Sequence, residues 1–324
     1  MLFLQSETLE VAHLTYTLND PVIMITRLSQ IVEEARRRGR RRLAVAYGND
    51  AHTLRAVYDA YSEGLVDPTV FGDKSAILEV CQNEGIDPTV FAIVDEKSDV
   101  RCVELAVSLV ATGGADVLMK GLVSTDKYMR GILNKEAGLF PPKGTLSHVS
   151  VVELPGRERL LCISDVAVIP QPDFKQKTQL IKYLAATAAS LGIELPKIAC
   201  IAPSEQVLPT VPSSTEAAIL AKMGDRGQLG RVTVDGPLSL DVALYAECAR
   251  EKKVQGSTVA GEADCLLFPN IESGNVFFKA ATHIAGAEIA AMVVGTKVPC
   301  VLTSRGDTPL TKLYSIALAC LQCK

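Results

Sequence analysis

The sequence predicts an α/β protein of two domains built on mostly parallel sheets, and three observations predict it. Short apolar, β-branched runs alternate with stretches of helical spacing about every 25 residues, the rhythm of a doubly wound sheet. A chain of 324 residues is long for a single core and suits two α/β domains of ordinary size. The rhythm then changes after Arg130, and Phe140-Pro141-Pro142-Lys143-Gly144 reads as a linker and first domain boundary.

Residues 1–19 are mildly apolar and carry no firm pattern. Asp20-Pro21 reads as a cap followed by proline at the first helical position, with Val22, Ile25, Leu28, Val32 and Ala35 on one face and Gly39 as the stop. Positions 43–47 form the first buried strand and Gly48-Asn49-Asp50 a turn into a helix at 51–63. A short strand at 69–71, the turn Gly72-Asp73-Lys74 and a helix at 76–83 follow. Next come a strand at 91–94, a helix at 100–111 and a strand with its exit turn at 116–121. Beyond the linker, 147–154 and 159–164 flank Pro155-Gly156, the spacing of an antiparallel pair on the edge of a second sheet. Alternation resumes with helices at 174–191, 214–222, 239–250 and 275–287. The intervening strands are 197–202, 231–235 and 265–269. A final strand at 298–302 enters the turn Thr303-Ser304-Arg305-Gly306-Asp307-Thr308-Pro309 and a helix over 310–320.

Composition removes several classes of function. The net charge of -4 gives no electrostatic footprint for nucleic acid. The basic run 36–42 stands at a helix end just before a strand, where cations suit the helix dipole and water. No apolar run reaches membrane-spanning length, and no basic region followed by an apolar core opens the chain. Nine cysteines are scattered, mostly inside apolar runs, the usage of a reducing cytoplasm. Cys320-x-x-Cys323, the one close pair, stands alone and is not read as a redox or zinc motif. There is no P-loop, no H-E-x-x-H, no G-x-S-x-G and no clustering of metal ligands. The stretch 223–230 is glycine-rich but follows a helix, so it reads as a helix stop rather than a dinucleotide fingerprint.

What remains is a set of polar turns at predicted strand ends, where open α/β sheets place their ligands. Lys120-Gly121-Leu122-Val123-Ser124-Thr125 is one, with Arg130 farther along its helix. Asp235-Gly236-Pro237-Leu238-Ser239-Leu240-Asp241 is another. A third is Pro269-Asn270-Ile271-Glu272-Ser273-Gly274-Asn275, with Lys279 one turn into the helix. The last holds the hydroxyl of Ser304, the guanidinium of Arg305 and the carboxylate of Asp307 within four residues. Helix N–H groups and a cation beside small residues suit a phosphate-bearing ligand. An ordinary N-cap, Asp307 or Thr308 with Pro309 first in the helix, explains part of that turn but not Ser304 and Arg305.

These turns, in this order, resemble those of the phosphate acetyl/butyryltransferase family from Leu43 to the final helix. The specific pieces are Met119-Lys120-Gly121-x-x-Ser124-Thr125, Asp235-Gly236-Pro237-Leu238, Gly261-x-Ala263-Asp264, Gly274-Asn275-x-x-x-Lys279 and Ser304-Arg305-x-Asp307. Lys312-Leu313-Tyr314-Ser315-Ile316 is closer to the butyryl than to the acetyl branch. The resemblance implies a two-domain isocitrate/isopropylmalate dehydrogenase-like fold with an interdomain cleft. The first domain would be 1–143 with 288–324 and the second 144–287. It also implies a cytoplasmic homodimer acting on acyl-CoA and inorganic phosphate, with coenzyme A as substrate and no bound cofactor, metal, nucleic acid or membrane.

The implied reaction is reversible, direct transfer of a short acyl group, butyryl favoured, between coenzyme A and phosphate. Arg305 would bind phosphate and spread charge, and Ser304 would donate to the developing oxyanion or the sulfur. Arg130 would contact coenzyme A, Lys120, Asn275 and Lys279 would line the phosphate side, and Ser124 and Thr125 would bind coenzyme A or phosphate. In the acetyl branch the acid proposed as base lies seven residues after the serine. Thr311 stands there in this chain, so Asp307 is the nearest carboxylate and the candidate base. The rival readings are a phosphate acetyltransferase, a metal- and NAD-dependent dehydrogenase of the same fold, and a noncatalytic acyl-CoA or phosphate sensor.

Overall fold

A computed structural model describes residues 24–303 and 306–323. Eleven strands form one hydrogen-bonded sheet. They are β1 (Arg41–Ala46), β2 (Val66–Gly72), β3 (Ala92–Asp95), β4 (Val117–Lys120), β5 (Ser147–Glu153), β6 (Leu161–Ser164), β7 (Lys197–Ile201), β8 (Thr233–Leu238), β9 (Cys265–Leu267), β10 (Glu288–Val294) and β11 (Cys300–Val301). Their spatial order is β3-β2-β1-β4-β11-β10-β5-β6-β9-β7-β8. The first five in that order are mutually parallel, as are the last four. Between the wings, β11 with β10, β10 with β5 and β5 with β6 all pair antiparallel. Three reversals in succession make the two wings run in opposite directions.

The helices are α1 (Leu28–Arg37), α2 (Ala51–Ser62), α3 (Lys74–Glu84), α4 (Asp99–Ala111), α5 (Thr125–Leu133), α6 (Phe174–Ser190), α7 (Pro212–Asp225), α8 (Leu240–Leu244), α9 (Ala246–Glu251), α10 (Ile271–Lys279) and α11 (Pro309–Leu321). On one face of the sheet a continuous apolar cluster runs across both wings. It joins Ile31 of α1, Leu54 of α2, Leu184 of α6, Leu220 of α7 and Ile316 of α11 to Val149 and Met292 at the seam. The opposite face carries two separate clusters, one under α4 and α5 and one under α8. Alternation along β5 locates the break: Leu146 belongs to the first cluster and Val152 to the second, while His148 and Ser150 between them are polar and buried.

Several expectations are corrected. The antiparallel pair at β5 and β6 lies in the middle of one sheet, not on the edge of a second. Its hairpin spacing was readable, but the partner on the other edge of β5 is β10, a strand that the alanine-rich stretch 288–294 concealed. The first helix begins at Leu28, where Gln30 Oε1 accepts from the Thr26 and Arg27 backbone N–H groups. Asp20 and Pro21 lie outside the described residues. Asp235-Gly236-Pro237-Leu238 is the body of β8 rather than a turn after it. The helix expected over 239–250 breaks at Tyr245, and the helix expected to start at Asn275 begins at Ile271.

The basic run is absorbed by carboxylates. Arg37 and Arg38 pair with Glu34, Arg40 with Asp67, Arg42 with Asp116, and Arg36 with Glu63. Seven of the nine cysteines are buried, and none of the nine forms a disulfide. Among the described residues no helix is long and apolar enough to cross a membrane.

Helix α11 ties the polar turn before it to the shared core. Ile316 is fully buried in the cluster that spans both wings. Ile316→Ala is expected to cost about 2–5 kcal/mol of unfolding free energy, measured by urea denaturation.

Candidate active site

The carboxyl ends of β1, β4 and β11 are level with one another. Ala46 pairs with Lys120, and Val301 pairs with Met119. Three turns therefore open at one edge of the first wing. Gly121 lets two of them touch, because a Cβ there would come within 2.3 Å of the Tyr47 carbonyl oxygen. Its N–H donates to Ala46 O at 2.9 Å and that of Leu122 to Tyr47 O at 2.8 Å. From below, the buried Tyr128 hydroxyl lies between the carbonyls of Leu118 (3.3 Å) and Val301 (3.2 Å), joining β4 to β11.

The turns enclose a pocket of about 160 Å³ lined by Asp50, His52, Lys120, Gly121, Thr303 and Lys312 among others. Two of these are buried lysines. Lys120 Nζ donates to Gly121 O at 3.2 Å, and Lys312 Nζ to Thr303 Oγ1 at 3.4 Å. Burial lowers the proton affinity of Lys312, and the negative charges of Asp307 and Asp50 work against that shift. Asp50 caps α2, its Oδ1 accepting from Thr53 N at 2.9 Å, while its Oδ2 is buried with no hydrogen-bond partner among the described residues. The amide end of α2, two lysines and an unmatched carboxylate oxygen make a pocket for a small oxyanion that also carries a proton.

A second group of polar residues meets this one at the seam. Asp165 follows β6 and accepts five hydrogen bonds, from Ser147 Oγ (2.8 Å) and the backbone N–H groups of His148, Ala167, Val168 and Ile169. Ser164 Oγ donates to His148 O at 2.9 Å. Helix α10 presses on the same loop: Asn275 Nδ2 donates to Val166 O at 3.0 Å, and a Cβ on Gly274 would come within 2.3 Å of Asp165 O. Burial holds His148 below the usual imidazole value, opposed by the charges of Asp165 and Asp307. Asp307, half-buried, thus acts on both Lys312 and His148 and links the two groups.

Among the sequence-predicted site residues, the structure brings together Lys120 and Asp307, with Asn275 reached through the Asp165 loop. Ser304 and Arg305 lie outside the described residues. Ser124 is the N-cap of α5, accepting from Lys127 N at 3.4 Å, and Thr125 is the exposed first residue of that helix. Arg130 is exposed and pairs with Asp126 at 3.0 Å. Lys279 is exposed, 5.4 Å from the Phe278 ring. Thr308, not Asp307, caps α11. Asp264 of the Gly261-x-Ala263-Asp264 motif is an internal brace, accepting from Lys197 N at 3.0 Å and from Arg159.

Sequence reasoning missed Lys312, His148, Asp50 and Thr303 as site residues. Lys312 had a signal: it shares the buried stripe of α11 with Ser315, Ile316 and Ala319, a helical spacing where a cation is out of place. His148 likewise interrupts the apolar alternation of a central strand. Among the described residues, no group of three or more histidine, cysteine or acidic side chains is placed to hold a metal ion.

Comparison with known proteins identifies the class. A model of the phosphate acetyl/butaryl transferase family matches residues 100–320, and the chain belongs to that family. It is 43% identical to a phosphate butyryltransferase of Clostridium acetobutylicum, over 92% of this chain and 98% of the relative. It is 40% identical to a phosphate acetyltransferase of Thermotoga maritima, over 90% and 98%. The crystal structure of a branched-chain phosphotransacylase from Enterococcus faecalis superposes with a TM-score of 0.77 at 31% identity, over 87% of this chain and 98% of that one.

The Asp165 carboxylate is the anchor of the seam. Asp165→Ala strands several buried donors, so the expected loss is at least ~3 kcal/mol, read from the shift in the urea midpoint.

Proposed function

We propose that this protein transfers a short acyl group reversibly and directly between coenzyme A and inorganic phosphate, with butyryl favoured over acetyl. The observation that carries this reading is the pocket with two buried lysines at the joined ends of β1, β4 and β11. Two ammonium groups beside the amide end of a helix attract an anion, and a phosphate can meet both features. The pocket is below the usual range for sites that hold a whole drug-sized ligand. It fits the phosphate, while coenzyme A approaches from outside. Asp50 Oδ2 would accept a hydrogen bond from the hydroxyl of a bound hydrogen phosphate.

Ser304 and Arg305 follow Thr303 in the sequence, and Thr303 lines this pocket. In our reading Arg305 clamps the phosphate and Ser304 donates to the oxyanion of the tetrahedral intermediate. Ser124, Thr125 and Arg130 take the coenzyme A side through the exposed start and outer face of α5. Asn275 and Lys279 border the site from α10. Direct transfer is supported by the state of the thiols: burial pushes Cys300, at the start of β11, up to about 12, far from an activated nucleophile. Butyryl is favoured because the more similar of the two relatives above is a butyryltransferase.

We read the chain as two domains, 1–143 with 288–324 and 144–287, each holding one wing. The split of the apolar packing on one face at β5 supports this reading and would leave a cleft there. Homodimeric assembly and a cytoplasmic location complete the proposal.

Release of coenzyme A thiol from butyryl-CoA tests it. Release should require phosphate, exceed that from acetyl-CoA, and fall at least ~100-fold in Arg305→Ala. Lys312→Met should raise the KM for phosphate at least ~10-fold without lowering the urea midpoint, since it removes a desolvated charge. Phosphate-independent release, or none with either thioester, contradicts the reading.

A further inference from the structure

His148 is the most confined titratable group at the seam. It is 4% exposed, on the sheet face where the apolar packing is interrupted. Its backbone is clamped on both sides, the N–H by Asp165 Oδ2 and the carbonyl by Ser164 Oγ. Nδ1 lies 3.3 Å from Ser150 Oγ, itself fully buried. Nε2 has no hydrogen-bond partner among the described residues. A histidine that served packing alone would have both nitrogens satisfied, or would be an apolar residue worth about 1.5–3 kcal/mol of burial. Here the chain fixes every part of the residue except one nitrogen. The charges acting on that ring come from Asp165, after β6, and Asp307, after β11.

We infer that His148 is the acid–base group of the acyl transfer, taking the proton of the coenzyme A thiol in one direction and returning it to the departing thiolate in the other. This inference rests on the acyl-transfer reading above. With Nδ1–H donated to Ser150 Oγ, Nε2 is the free acceptor. In the direction of thioester synthesis, Nε2 takes the thiol proton and the sulfur bonds to the acyl carbon. The bond from that carbon to the phosphate oxygen breaks, and its electron pair leaves with the phosphate. The imidazolium then hands its proton to the phosphate, so the products are thioester, hydrogen phosphate and neutral His148. The reverse reaction runs the same proton back to the leaving sulfur. Asp307 supports the transient imidazolium through its charge and does not itself take the proton. Burial keeps the ring neutral at pH 7, the state a base requires.

The test is the pH dependence of coenzyme A acylation by butyryl phosphate in wild type, His148→Gln and Asp307→Asn. Wild-type rate should fall on the acid side with a limb at or below the ordinary histidine value of ~6.5. His148→Gln should be at least ~100-fold slower at pH 7, with its limb moved up to the free thiol value of ~8.5, where solvent replaces the base. Asp307→Asn should slow turnover yet keep an acid limb, shifted downward, because removing the negative charge weakens proton binding by the ring. A His148→Gln limb unmoved from wild type overturns the proposal. So does loss of both turnover and limb in Asp307→Asn, which gives the proton to Asp307. If His148→Gln does not fold, Asp307→Asn decides alone. A wild type that fails to acylate coenzyme A at any pH overturns the acyl-transfer reading itself.

Discussion

Everything at the centre of this molecule depends on the pairing of β5 with β10 on one edge and β6 on the other. Seven successive residue pairs join β5 to β10, from Ser147 with Val294 to Glu153 with Glu288. That ladder connects two parallel wings that run in opposite directions, and on one face of the sheet the apolar packing is interrupted along it. The ladder satisfies the backbone, but the side chains of β5 are left to close the gap. They do so with Ser150 and His148 instead of valine or leucine. Buried polar groups are tolerated only when bonded, and the Asp165 carboxylate supplies the acceptor that organises them. One carboxylate that gathers five donors makes the loop after β6 rigid where the two wings meet.

The same economy governs the charged pocket. Lys312 lies on the buried stripe of α11, where an apolar residue would add to the core, and its ammonium donates to the Thr303 hydroxyl at 3.4 Å. The charges of Asp50 and Asp307 lower the cost of holding it there. Such an arrangement stores binding energy for an incoming anion, because the desolvation of the cation has already been met by folding. A close approach that only glycine permits, at Gly121, holds the two turns in register around it.

Much of the fold could be read from alternation, because parallel strands buried on both faces are near-continuous apolar runs, and the strands at 41–46, 117–120 and 197–201 are such runs. The order of strands could not. β10 was hidden because Ala290 and Ala291 fit a helix as well as a strand, and nothing local says that residue 294 pairs with residue 147. The site was half legible. Lys120 and Asp307, which lie in or act on the candidate pocket, could be singled out because a cation or carboxylate after a strand stands out by type and place. Lys312 and His148 were missed because their meaning lies in burial, which appears only when the helix stripe or the strand face is known. Ser124 and Asn270 are harder to read from sequence, since hydroxyls and amides at turns are also what helix ends require, and both cap helices here.

The central claim is a direct transfer between phosphate and coenzyme A, and isotope exchange tests it most directly. Labelled inorganic phosphate is incubated with butyryl phosphate and the enzyme, with and without coenzyme A. The account predicts that label enters butyryl phosphate only when coenzyme A is present, because no group of the protein carries the acyl chain. Exchange without coenzyme A would mean an acyl-enzyme, and no exchange under either condition would mean that the pocket does not serve this reaction.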